Sequence, residues 1–201
     1  MKGRLGHTRR SEVARRSHGA RTALARSSLT LHAPVRTGHL GFAPLKTQGV
    51  TFRCSLGRNG VTTDKQEGDG KTPAGLFYLR RAFYRADRVP APTVALDLVN
   101  ATQENFGWCD DAGAPEYNTF VLEPFEPSHE DLWLSSSYYD LMAVIGWNDD
   151  PPVPGKGSAI FFHVTPDYGS TSGCVALALA DLTVVLEGID ANTQMNITAA
   201  A

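Results

Sequence analysis

No apolar run in the 201 residues approaches the roughly 18 needed to cross a bilayer, so the sequence points to a soluble or secreted chain without a membrane anchor. Acid is almost missing from residues 1–26, where eight basic residues stand against Glu12 alone. Arginines interrupt Val13, Ala14, Ala20, Ala23 and Leu24, so no apolar stretch of a secretory signal forms. The composition of this segment imitates an organelle transit peptide. A translated upstream region, or an export sequence missed by the chosen start, accounts for it as well, and a disordered basic tail is expected. The remainder carries 11 basic and 20 acidic residues, a balance that argues against nucleic acid as a partner of the folded part. Paired-ligand spacing for zinc is also missing from the His129-Glu130-Asp131 and Cys109-Asp110-Asp111 clusters, so no metal or cofactor is expected. Three cysteines leave at least one unpaired. Cys54 and Cys109, each beside apolar or aromatic residues, are read as two isolated thiols.

What is present is an ordinary globular composition, 42% hydrophobic and 20% charged, long enough for one domain with a proper core. Strands are expected at 27–31, 50–56, 76–83 and 141–147, with a Pro34–Gly38 turn after the first. Phe52 and Cys54 should share a face of the second strand. Residues 70–75, Gly-Lys-Thr-Pro-Ala-Gly, form a turn by proline and glycine chemistry alone. Ser128 followed by Asp131 is a capping-box pattern for a short helix, with Glu130 placed to meet its dipole. A single strong helix is expected at 177–187, and the last residues, 191–201, should fray. The alternation of strands with Gly and Pro turns predicts a mostly β domain over 27–190.

The stretch 157–177 concentrates the chemistry. A short β-favouring run, Ala159 to Phe162, places His163 at its end; a loop of Pro166, Asp167, Gly169, Ser170 and Gly173 then leads to Cys174. A thiol of ordinary pKa, about 8.5, is only a few per cent thiolate at neutral pH. An adjacent imidazole can convert it to an ion pair, and His163 is the natural partner. Gly173 admits a carbonyl substrate close to the backbone. The amides of Gly173 and Cys174 could serve an oxyanion, with hydroxyls from Thr171 and Ser172 beside them. The same residues also fit a small buried thiol and a satisfied core histidine.

The order of these residues, a strand histidine, a loop and then Thr171-Ser172-Gly173-Cys174-Val175, resembles the catalytic motif of the L,D-transpeptidases, the YkuD-type family that cross-links bacterial peptidoglycan. Thr72, Pro73 and Gly75 match the family's T-P-x-G turn, which extends the resemblance over about 27–190. Two positions depart from the commonest pattern. Thr171 stands where the family has Ser, and Ala176 stands where it has an arginine able to neutralise a substrate carboxylate.

The resemblance implies a YkuD-like β-sandwich with a C-terminal helix, a few short helices and the cysteine loop under a flap. It implies two acyl transfers, through a thioester on Cys174, from a donor stem peptide to the amine of an acceptor stem. Thr72, and through one branch of the family His129, Tyr139 and Asp140, are implied to line the substrate groove. It further implies inhibition by carbapenems, a periplasmic or wall-associated location, and a monomer. A carboxypeptidase-type cysteine hydrolase of the same fold, and a non-catalytic wall-binding module, are the alternatives.

Overall fold

A computed structural model describes residues 28–32, 42–47, 49–96 and 98–199 of the chain; the basic tail and the Pro34–Gly38 turn lie outside them. Three strands open the fold as an antiparallel meander: β1 (Ser28–His32), β2 (Phe42–Thr47) and β3 (Val50–Ser55). A short parallel pair follows, β4 (Val61–Thr62) with β5 (Thr72–Pro73). Then come the long β6 (Gly75–Tyr84) and β7 (Leu98–Ala101). β8 (Phe106–Cys109), β9 (Phe120–Leu122) and β10 (His129–Asp131) form a separate antiparallel sheet in the order β10-β8-β9. The chain closes with β11 (Leu141–Ile145), β12 (Phe161–Val164), β13 (Val175–Leu177), α1 (Leu179–Glu187) and β14 (Gln194–Thr198).

The main sheet runs β11-β12-β13-β3-β2-β1-β14-β6-β7, and β6 also pairs with β11. The sheet therefore curls until its ends meet, and ten-residue β6 serves both neighbours by giving its first half to β14 and its second to β11. Closure of this kind leaves fewer open edges for other chains to pair with.

Burial follows the period of two that strands impose. Ala143, Ile145, Phe162, Val164, Val175 and Leu177 point into the larger core, which α1 covers with Leu182, Val185 and Leu186. Each of these side chains other than Ala143 contributes roughly 1.5–3 kcal/mol on burial. Met142, Val144 and Phe161 point the other way, into a second cluster with Phe83, Trp108, Leu132, Tyr139 and Cys174 under the three-stranded sheet. Cys54 belongs to the larger core and Cys109 to β8, and each of the three cysteines is a thiol outside any disulfide.

Four sequence expectations are corrected. The helix starts at Leu179, because Val175–Leu177 is held as a strand by β12 on one side and β3 on the other. Residues 129–131 are a strand, not a capped helix, since His129, Glu130 and Asp131 pair with Cys109, Trp108 and Gly107. With that segment extended, α1 is the only helix among the described residues. Within the C-terminal segment expected to fray, Gln194–Thr198 is a strand. Met195 and Ile197 alternate inward and are essentially buried, while β14 pairs with both β1 and β6.

Candidate active site

His163 and Cys174 reach one cavity because two adjacent strands carry them. β12 and β13 run parallel in the register Phe162↔Val175, His163↔Ala176 and Val164↔Leu177. His163 thus occupies the face opposite Phe162, and Cys174 immediately precedes β13 with the parity of Ala176. The cavity, about 360 Å³, is lined by both residues, by Thr171, Ser172 and Gly173 of the loop, and by Tyr138, Tyr139, Ser158, Ala159 and Ile160. That volume lies within the range of small-molecule sites.

The imidazole is buried, and its Nδ1 lies 2.8 Å from the Val164 carbonyl. A carbonyl can only accept, so Nδ1 carries the proton and Nε2 keeps its lone pair. Burial depresses the histidine pKa to about 4, with the carbonyls of Val164 and Tyr138 opposing that shift. The rings of Tyr139 and Tyr138 stand edge-on to the imidazole at 5.4 and 6.2 Å. The thiol is also buried. Its Sγ donates to the Ala159 carbonyl at 3.4 Å and accepts from the Phe161 N–H at 3.3 Å. Desolvation pushes its pKa up to about 12, Glu130 adds to the rise, and the Phe161 N–H and Lys65 oppose it.

Among the described residues no hydrogen bond joins this thiol to His163. The resting pair is therefore a neutral thiol and a neutral imidazole rather than the ion pair expected from sequence. Burial disfavours both charged forms, lowering the imidazole pKa and raising that of the thiol.

The loop geometry explains the glycine and both threonines. Gly173 has φ +148°, and a Cβ there would lie 3.0 Å from the Lys71 carbonyl and 3.2 Å from Ile160 Cδ1. Thr171 Oγ1 donates to the Cys174 carbonyl at 2.7 Å and accepts from the Gly173 N–H at 3.1 Å. Thr72 Oγ1 donates to the same carbonyl at 3.4 Å and accepts from the Gly57 N–H at 2.8 Å. Both hydroxyls clamp the cysteine backbone. The Gly173 amide is consequently taken, whereas the Cys174 N–H has no partner among the described residues. Ser172 is exposed, and its Oγ accepts from Arg58 Nη1 at 3.0 Å.

Three of the residues expected in the groove are elsewhere. Thr72 is fully buried behind the loop. Asp140 turns away to Arg88, 2.9 Å distant. His129 lies at the edge of the small sheet, where Nδ1 meets the Pro127 carbonyl and Nε2 is 3.7 and 3.6 Å from Glu123 and Asp131. Those three are the only group among the described residues close enough together to hold a metal ion, and none of them lines the cavity. Tyr139 does line it, with its hydroxyl donating to Glu130 Oε1.

Sequence reasoning missed the polar wall. Lys65, Glu67, Asp110 and Glu130 all line the cavity. The Lys65 side chain is 2% exposed, and Nζ is held at 2.7 Å by both Asp69 Oδ1 and the Gln66 carbonyl. Glu67 Oε2 accepts from the Tyr117 hydroxyl and from Ser158 Oγ. Burial lifts the Glu130 pKa to about 7, with Asp110, Asp131 and Glu67 adding to the rise against the Tyr139 hydrogen bond.

The chain matches the family model of the L,D-transpeptidase catalytic domain, YkuD, over residues 25–197. Similar solved structures include an L,D-transpeptidase from Mycobacterium smegmatis, at 12% identity and a TM-score of 0.37, covering 86% of this chain and 59% of that one. Another is L,D-transpeptidase 1 of Mycobacterium tuberculosis, at 12% identity and a TM-score of 0.35, covering 85% and 62%. A third is the LD transpeptidase LdtMt1 in complex with imipenem, at 12% identity and a TM-score of 0.37, covering 86% and 59%. The chain thus spans about three fifths of the length of these proteins. A search of curated proteins found no match.

Proposed function

The chain belongs to the L,D-transpeptidase catalytic-domain family, and from that premise we propose that it is a peptidoglycan L,D-transpeptidase with Cys174 as nucleophile and His163 as base. The observation that carries this reading is the one just described: a thiol at the head of β13 and an imidazole on the adjacent parallel β12 open into one cavity, and the imidazole Nδ1 is tied to the Val164 carbonyl. That tie leaves Nε2 as the proton acceptor.

Because both groups rest neutral, proton transfer accompanies attack. Nε2 takes the thiol proton as Sγ adds to the carbonyl carbon of the donor stem, and the Cys174 N–H faces the developing oxyanion. The imidazolium then gives its proton to the departing D-Ala amine, the C–N bond breaks, and a thioester remains. An amine of a second stem adds to that thioester, the C–S bond breaks, and the thiol is restored. Water in place of the amine gives hydrolysis. Ala176, paired with His163 and fully buried, supplies no cation to the substrate carboxylate. The donor contacts therefore differ from those of family members with arginine at that position. The reaction places the protein at the cell wall, outside the cytoplasm, and makes carbapenems candidate acylating agents for Cys174.

The test is incubation with defined stem peptides followed by mass spectrometry of the products. Cross-linked or acceptor-exchanged peptide from the wild type, and none from Cys174→Ala, is the expected result. Product that persists in Cys174→Ala excludes this mechanism, and trimmed tripeptide alone makes the protein a hydrolase.

A further inference from the structure

Between β10 and β11 the chain runs through residues 132–140 without a strand or helix. The carbonyls of such a segment need donors from elsewhere, and here two arginines just past the end of β6 supply them. Arg85 Nη1 donates to the Leu134 carbonyl at 2.7 Å, and the Arg85 backbone N–H donates to the Asp140 carbonyl at 2.9 Å. Arg88 Nη2 donates to the Ser135 carbonyl at 3.1 Å, while Nη1 donates to the Ser136 carbonyl at 2.8 Å and to Asp140 Oδ1 at 2.9 Å. Asp87 holds Arg85 from the other side, accepting from Nε and Nη2 at 2.9 and 2.8 Å. Neither arginine lines the cavity.

What the two guanidinium groups hold does line it. The same segment carries Tyr138 and Tyr139, whose rings stand edge-on to the imidazole of His163. The Tyr138 carbonyl accepts the Val164 N–H at 3.1 Å, and Val164 in turn fixes the imidazole Nδ1 through its own carbonyl. A continuous run of contacts therefore leads from Arg88 to the loop carbonyls, from the loop to Val164, and from Val164 to the base. Arg88 meets three acceptors with one planar fork, which a lysine ammonium could not reproduce even while pairing with Asp140. Exposed ion pairs contribute little to stability, but the Asp140 side chain in this one is 11% exposed and its partner is tied to the backbone as well.

We propose that Arg88, together with Asp140, is a positioning residue for the base: it fixes the 132–140 segment so that Tyr138 and Tyr139 keep the His163 imidazole in one orientation and one tautomer. The assignment rests on the reading of His163 as the base and adds to it a residue that acts through the imidazole without meeting the substrate. A ring held in this way enters each turnover with Nε2 available to the thiol proton. Misplacement of a reacting group by about 1 Å can cost on the order of a hundredfold in rate.

The experiment combines kinetics on defined stem peptides with heteronuclear NMR of the histidine-labelled full chain, the His163 signals being assigned by their loss in His163→Ala. Arg88→Ala should lower kcat about tenfold or more while KM stays within about twofold. Its His163 should exchange between two tautomers, where the wild type shows the Nδ1–H form alone. Arg88→Lys should keep a charge beside Asp140, and with it the melting temperature, yet still lose most of that factor in kcat. Arg80→Ala, which breaks the more exposed Arg80–Asp149 pair elsewhere on β6, should change neither kcat nor the tautomer. Wild-type kcat with a single tautomer in Arg88→Ala, or in Arg88→Lys should the alanine variant not fold, overturns the proposal. So does an equal loss in Arg80→Ala, a wild type whose His163 already mixes tautomers, or a rise in KM alone, which would make the segment a substrate contact. A wild type that gives no product overturns the reading of the site, and the tautomer comparison then decides the role of Arg88 by itself.

Discussion

β12 and β13 present two faces that differ in kind. On one, Phe162, Val164, Val175 and Leu177 meet α1 in a core of hydrocarbon. On the other, Phe161 and Cys174 share a cluster with Tyr139, and the buried imidazole of His163 stands edge-on to that tyrosine. A step of one residue along either strand crosses from the larger core to the wall of the cavity. The comparison teaches how the site is held: the dry face fixes the register, and a slip of one residue would exchange the two sets. Rigidity is built on the side that faces away from the cavity.

The largest expected effect contrasts two buried thiols, Cys174 on the site face and Cys54 in the larger core. Cys174→Ala should reduce transfer and thioester formation below detection while the melting temperature stays near that of the wild type. Cys54→Ala should keep turnover and lose stability. Activity assays with thermal melts on both variants read this directly, and activity lost through Cys54 alone would break the division between faces.

Neighbours on β12 give the next contrast. His163→Ala should lower turnover by about 10²–10⁴-fold, the usual contribution of a positioned base. Phe162→Ala should cost about 3–5 kcal/mol of stability through the cavity it leaves. For a chain of this size that lowers the melting temperature by roughly 10 °C. Denaturant melts together with initial rates distinguish the two, and a His163→Ala protein that unfolds as readily as Phe162→Ala would show the imidazole to be core packing.

A smaller effect separates the faces by pH. Glu130 has its pKa raised from 4.5 to about 7, so its protonated form suits the fold. Between pH 4.5 and 7 the folded state holds a proton that the unfolded state has released, and stability from this group declines as pH rises through that window. His163 acts in the opposite sense, since a pKa lowered from 6.5 to about 4 means stability is lost as pH falls through 6.5 towards 4. Between pH 5 and 6.5 the two contributions nearly cancel in the wild type, so Glu130→Gln should uncover the His163 contribution, a melting temperature that rises with pH over that window. An unchanged slope would show that this carboxyl is solvated.

Much of this was legible in the sequence, because the signals are local. A β-favouring run ending at His163 and a glycine loop ending at Cys174 mark both residues within a few positions. β-Favouring or apolar runs likewise mark β3, β6 and β11. What was not legible depends on partners far along the chain. Gln194–Thr198 contains only two apolar residues and becomes a strand because β1 and β6 flank it. Ser128 to Asp131 satisfies a helix-capping pattern, yet β8 draws it into a sheet and turns Glu130 into the cavity. Lys65 carries no mark of burial in its sequence neighbours, and Asp69 together with the surrounding loop creates it. Thr72 was singled out by resemblance as a groove residue, and its hydroxyl instead clamps the carbonyl of Cys174.

The most direct test of the central claim, that Cys174 is an accessible nucleophile served by a neutral His163, is the rate of covalent addition of a carbapenem against pH. Intact mass should rise by one drug equivalent, and peptide mapping should place the adduct on Cys174 and not on Cys54 or Cys109. With the base titrating near 4, the rate should hold well below pH 6.5 and fall only towards pH 4, and His163→Ala should suppress it. An adduct that grows with pH through the ordinary thiol range near 8.5, that maps to another cysteine, or that never forms would contradict the account.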